Sequence, residues 1–209
     1  MKYLSLVIIF LLVSCGNKED ILLPKSNVTV VSDVIDHSAI YIFFRTSGKD
    51  TLAEVNRKNS IITTNWILNI DKRLPLKLVV PEVMKLQDKK RKEKAHKNEK
   101  AENYYSYADT IGKNMAFIPF TKVYYAIGKP TKGDMIIRFK KENNLAFVNG
   151  VEIYKKEIIN YVDSINQSVK PKIVLLFDKN MSFGEYLQNK IFIKELETFN
   201  TEVLQEFIY

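Results

Sequence analysis

The sequence predicts an α+β protein made of two small related units, each a mixed sheet packed by helices, with the first unit lacking one helix. Three observations lead there. Short apolar runs bounded by turn residues, such as Trp66–Ile70 and Ile173–Phe177, recur along the chain and read as strands. Other segments place apolar residues at helical spacing, as Ile158, Ile159, Val162 and Ile165 do. Two stretches of the first half also reappear, in order, in the second. Leu52-Ala53-Glu54-Val55-Asn56 is matched by Leu145-Ala146-Phe147-Val148-Asn149, at an offset of 93 residues (52 to 145). Trp66-Ile67-Leu68-Asn69-Ile70-Asp71-Lys72 is matched by Ile173-Val174-Leu175-Leu176-Phe177-Asp178-Lys179, at an offset of 107 (66 to 173). The two offsets differ by 14 residues (107 − 93), about the length of the helix expected at Ile153–Ile165.

In chain order, Asn27–Val34 alternates with period two and is expected to be a strand. Ile40–Phe44 is aromatic and β-branched, Ser47-Gly48-Lys49-Asp50 reads as a hairpin turn, and Leu52–Asn56 as the return strand. A helix is expected from Leu76 to about Lys100, with Pro75 at its start and Pro81 near enough to start or kink it. Its far end, Lys89–Lys100, is nearly all charged and reads as a solvated helix end with intrahelical ion pairs. No aromatic residue interleaves it for base stacking, so nucleic acid is not expected as a partner. Tyr104-Tyr105-Ser106-Tyr107 fits an ordinary sheet edge or an interface. Met115–Phe120 and Val123–Ile127 look extended, with Pro119 arguing against a central position, and residues 128–133 read as a linker.

The second half repeats the scheme. Met135–Phe139 and Leu145–Val148 are strands, and a helix is expected after the Asn149-Gly150 turn. Ile173–Phe177 is apolar throughout, as a strand covered on both faces must be. Ser182 and Glu185 form a capping-box pattern ahead of the last helix, and Val203–Tyr209 can return as a strand. Asp71 and Asp178 each follow a strand, where a carboxylate accepts backbone N–H groups of the next turn. The units are expected over residues 27–127 and 134–209.

The 209 residues are 46% hydrophobic and 27% charged, with a formal net charge of +8. At the N-terminus Lys2 precedes an apolar run, Leu4–Val13, too short to span a bilayer. Leu12-Val13-Ser14-Cys15-Gly16 follows and resembles a bacterial lipobox. That resemblance implies a signal peptide over residues 1–14, a lipid (palmitate-type acyl chains) on Cys15, and a tether over 15–26. Cys15 is the only cysteine, so no thiol remains for a disulfide or a metal. Lys18-Glu19-Asp20 is similar to a tag that sends some Gram-negative lipoproteins to the cell surface; it reads equally well as a solvated tether. The location is therefore expected to be the periplasm-facing or the outer side of the outer membrane.

The second unit resembles the periplasmic domain of the ExbD/TolR family, which acts in biopolymer transport. The residues that carry this are Phe147-Val148-Asn149-Gly150, the strand Ile173–Phe177, Asp178-Lys179, and Phe183-Gly184-Glu185-Tyr186, within residues 135–209. Family members have a transmembrane helix whose aspartate carries protons for a membrane motor. This sequence offers a lipid anchor in its place, so proton-coupled activity is not carried over. The resemblance implies an interaction or scaffold module, with an envelope protein of unknown identity as partner and self-association open. Its TolR side suggests the alternative of a peptidoglycan- or polymer-binding module. No Ser/His/Asp, Cys/His or glycine-rich phosphate constellation is legible, and the only histidines are His37 and His96. No catalysis, cofactor or metal is expected.

Overall fold

Two six-stranded mixed sheets carry the chain. The structure, a computed structural model, describes residues 20–93, 98–130, 135–142, 144–165, 172–194 and 205–209. The first half forms β1 (Lys25–Ser26), β2 (His37–Ser47), β3 (Asp50–Asn56), β4 (Asn65–Ile70), helix α1 (Leu76–Lys92), β5 (Asn103–Asp109) and β6 (Asn114–Pro119). The second forms β7 (Tyr124–Ile127), β8 (Met135–Phe139), β9 (Leu145–Val148), β10 (Val151–Tyr154), α2 (Ile158–Ile165), β11 (Ile173–Phe177), α3 (Phe183–Phe192) and β12 (Gln205–Ile208). The architecture is α+β with two sheet units, as the sequence predicts.

The strand orders correspond. The first sheet runs β3-β2-β4-β5 and the second β9-β8-β11-β12. In each, an antiparallel hairpin (β2–β3, β8–β9) is followed by a strand parallel to its first arm. A helix then crosses to one more parallel strand. The matched sequence stretches fall on matched elements, Leu52–Asn56 and Leu145–Val148 on the return strands (Asn149 opens the turn after the second), Trp66–Lys72 and Ile173–Lys179 on the strand–turn that precedes the crossover helix. Between return strand and next strand, the first unit has the turns of residues 57–64, whereas the second has β10, a 3-10 turn and α2. Strand β7 precedes the linker in sequence but pairs with β12 in the second sheet.

One continuous apolar core joins the two sheets, from Ile40, Ile42 and Trp66 through Val83 and Tyr105 to Phe139, Phe177, Phe183 and Ile208. Helix α1 turns Leu76, Val79, Val80, Val83 and Leu86 into it, the spacing of one helical face. Pro81 sits in the second turn of the helix without ending it, at the loss of one i→i−4 bond. Pro119 lies on β6, which pairs with β5 alone among the named strands.

Four expectations need correction. The helix expected to run to about Lys100 ends at Lys92, where Glu93 turns extended. Asn27–Val34 is not a strand. Only Val31 bridges, to Phe117, while the Tyr107 hydroxyl donates to Val28 O (2.8 Å) and accepts from Val30 N–H (2.9 Å). That side chain satisfies the backbone groups a neighbouring strand would otherwise take. The helix expected from Ile153 begins at Ile158, since Asn149 (φ +50°) and Gly150 (φ +89°) make a two-residue hairpin turn that returns β10 against β9. The tyrosine stretch is an interior strand, not an edge: β5 is flanked by β4 and β1 on one side and β6 on the other, and Tyr105 and Tyr107 are buried.

Candidate interaction surfaces

Cys15 lies outside the described residues, as do Lys18, Glu19 and His96. The chain is held from Leu22 onward. Leu22 N–H donates to Asp71 Oδ2 (3.3 Å), Leu22 O accepts from Lys72 N–H (2.7 Å), and Pro24 O accepts from Ala108 N–H (2.9 Å). The stretch from Leu22 to Ser26, placed in the tether by sequence, thus fills the space beside β5 that β4 vacates at its end. His37 is exposed, with Nδ1 2.6 Å from Val34 O.

The strand–helix corners of the two units face each other. Asp71 accepts Arg73 N–H (3.0 Å), and Asp178 accepts Asn180 N–H (2.8 Å), as the sequence predicts for both. Beyond those turns the chains pair antiparallel, with Pro75 opposite Ser182. Leu76 N–H donates to Met181 O (2.9 Å) and Phe183 N–H to Leu74 O (2.7 Å). Lys77 N–H donates to Lys179 O (2.9 Å) and Gly184 N–H to Lys72 O (3.0 Å). A Cβ on Gly184 would stand 3.0 Å from Lys72 Cβ, so this approach favours glycine. Each helix also packs on the opposite sheet, α1 on β12 and α3 on β1.

The two Asp side chains differ. Asp71 is buried, and burial by itself raises its pKa. The Arg73 side-chain bonds (2.9 and 2.7 Å), the Arg73 and Leu22 N–H groups and the Arg73 charge together outweigh burial and hold it below 3.8. Arg73 also lies over the Phe44 ring at 4.4 Å. Asp178 is half-buried.

A chain of buried polar groups runs between the sheets. Tyr105 (β5), Tyr125 (β7) and Tyr186 (α3) are linked hydroxyl to hydroxyl at 2.8 and 3.0 Å. Tyr186 donates to Glu206 Oε2 (2.6 Å), and Lys190 Nζ reaches Glu206 Oε1 at 2.5 Å. With Glu206 ionised, the single proton of Tyr186 is committed to it, so Tyr125 donates to Tyr186 and Tyr105 to Tyr125. Burial, with the Glu206 charge nearby, raises all three tyrosine pKa values well above 10. Sequence reasoning did not find this chain. The signal was the Tyr186/Lys190 spacing, which puts both on one face of α3, together with Glu206, which alternates with the outward Gln205 and so falls on the buried side of β12.

The basic run is less solvated than its composition suggests. Lys90 is buried, with Nζ donating to Thr64 O (2.9 Å), Glu102 O (3.2 Å) and Asn103 Oδ1 (3.0 Å), and it lies 4.9 Å from the Trp66 ring centre. Burial lowers its pKa to about 8, against a smaller opposing pull from Glu102. Arg91 donates to Thr121 O and Val123 O and covers the Tyr124 ring at 4.1 Å. Lys92 pairs on the surface with Asp88, one turn back and just outside the basic run.

A groove of about 820 Å³ runs between the N-terminal segment Lys25–Val30 and Ile191 and Phe192 of α3. Among the described residues no group of three or more His, Cys, Asp or Glu is placed to hold a metal ion, and no helix is long and apolar enough to cross a membrane. No family model, curated protein or solved structure matches the chain.

Proposed function

We propose that this protein is a lipid-anchored envelope component that works by contact rather than catalysis, an ExbD/TolR-like interaction or scaffold module without proton-coupled motor activity. The observation that carries the reading is the fixed N-terminal segment. Leu22 is bonded into the fold only seven residues after Cys15 (22 − 15), and seven extended residues reach at most about 25 Å. A lipid on Cys15 would hold the folded body against the membrane surface, with the β1 side of the first sheet nearest to it. The buried polar side chains described above bond to one another or to backbone, which suits a rigid scaffold.

The polymer-binding alternative draws less support. It rested on the tyrosine cluster and the basic run, and Tyr105, Tyr107, Lys90 and Arg91 are all engaged in internal bonds. The test is growth with an alkyne fatty acid, comparing the native chain with Cys15→Ser. Label on the native chain and none on the variant is expected, with the native chain in the membrane fraction. An unlabelled native chain with its leader uncut would end the anchor reading.

A further inference from the structure

The contact between the two corners has a property that neither unit's own fold requires. The residues that meet are those that correspond by position. Pro75 lies opposite Ser182, and these are separated by 107 residues, the offset at which Trp66–Lys72 matches Ile173–Lys179. At the same offset Lys72, Leu74, Leu76 and Lys77 correspond to Lys179, Met181, Phe183 and Gly184. Under that exchange the bond from Leu76 N–H to Met181 O becomes the bond from Phe183 N–H to Leu74 O, and both are present. The bond from Lys77 N–H to Lys179 O becomes the bond from Gly184 N–H to Lys72 O, and both are present again. Each helix also reaches the other unit's sheet, but at strands that do not correspond, α1 at β12 and α3 at β1, so the reciprocity lies in the backbone bonds of the corner. A contact in which residue i meets j and the counterpart of j meets the counterpart of i is isologous, the form taken by a two-fold homodimer.

We propose that the corner is a self-recognition surface and the chain a tandem dimer: two copies of one ancestral unit, whose homodimer contact is now made in cis. The partner this surface fits is a second unit of the same fold, and the linker supplies it at high effective concentration. Four backbone bonds would specify the pairing largely independently of side chains, which lets the corner sequences diverge from Leu-Pro-Leu-Lys to Met-Ser-Phe-Gly while the geometry persists. The asymmetry lies elsewhere. Only the second unit carries β10 and α2, so a partner recognising those elements would bind one per chain. This inference does not depend on the lipid anchor.

Pro75 and Ser182 form a non-hydrogen-bonded antiparallel pair, whose Cα atoms lie about 4.5 Å apart. That is within the roughly 4.4–6.8 Å that a disulfide spans. The test is the full chain carrying Pro75→Cys and Ser182→Cys, with each single variant as control for Cys15 reactivity and for folding by thermal melt. Mild oxidation of the double variant is expected to remove both new thiols and give a faster-migrating monomer on a non-reducing gel, while the single variants stay unlinked. A covalent dimer of the double variant would mean the contact is made between chains. Retention of both thiols, with the single variants melting normally, would mean the corners do not meet. Either result overturns the proposal.

Discussion

Each unit buries one carboxylate beside a cation, and the two pairs do different work. Asp71 is held by Arg73, whose side chain is about half-exposed, and by backbone N–H groups of its own turn and of Leu22. Its reach is local: it closes one corner and clamps the N-terminal segment. Glu206 is held by Lys190 and Tyr186, both buried, and through the tyrosine chain it connects β12 to β5 of the other sheet. Where the partner cation still touches water, only the carboxylate is stripped of solvation and the cation keeps much of its own. A carboxylate enclosed with its cation depends on that cation and its hydrogen bonds alone. The first should be tuned by pH and the second should govern whether the two sheets stay together.

The largest expected effect follows. Glu206→Leu removes the carboxylate from Lys190 and Tyr186 while leaving a buried ammonium, and should cost about 3–5 kcal/mol of folding stability. Adding Lys190→Met should recover most of that loss, because an apolar pair of similar volume carries no desolvation penalty. Urea denaturation of the single and double variants measures both. If Glu206→Leu melts like the native chain, the enclosed pair is not what couples the sheets.

Asp71→Asn should cost less, about 1–3 kcal/mol, since the amide still accepts from the turn but loses the Arg73 charge. Asp178→Asn, without a guanidinium partner in its corner, should cost under about 1 kcal/mol. The pH dependence sharpens the contrast. The folded-state pKa of Asp71 lies below the ordinary 3.8, so its stabilisation is present in full above that value and is lost as pH falls through the folded-state pKa. Between about pH 5 and pH 2 the native chain should therefore lose more stability than Asp71→Asn does. Equal losses would assign the acid sensitivity to other carboxylates.

What the sequence revealed and what it hid divide along one physical line. Trp66–Ile70 and Ile173–Phe177 were legible because burial on both faces demands an unbroken apolar run. Asp71 and Asp178 were legible because a strand-end Asp bonds its own next turn, a contact within two residues. Lys90 was not, since its acceptors come from Thr64, Glu102 and Asn103, and only the fold brings them to it. The alternation of Asn27–Val34 misled for the same reason: the Tyr107 hydroxyl, 77 residues on from Val30, takes the place of a neighbouring strand. The Asn149-Gly150 pair held enough information to place β10, because a two-residue turn with both φ positive commits the chain to a hairpin.

A substitution of comparably small effect probes the corners themselves. Ser182 caps α3, its hydroxyl accepting Glu185 N–H at 3.2 Å, whereas Pro75 at the corresponding start of α1 offers no side-chain cap. The reciprocal half of the capping box is diverted, since the Glu185 carboxylate accepts Glu142 N–H at 2.9 and 3.1 Å. Ser182→Ala should therefore cost only about 1 kcal/mol. The first unit shows that the corner forms without a cap, so the reciprocal backbone bonds should survive the change. Amide hydrogen exchange at Leu76 and Phe183 measures this, and both are expected to stay as protected in Ser182→Ala as in the native chain, with faster exchange confined to Glu185. Faster exchange at Leu76, in the other unit, would mean that the side-chain cap and not the backbone pairing holds the corners together.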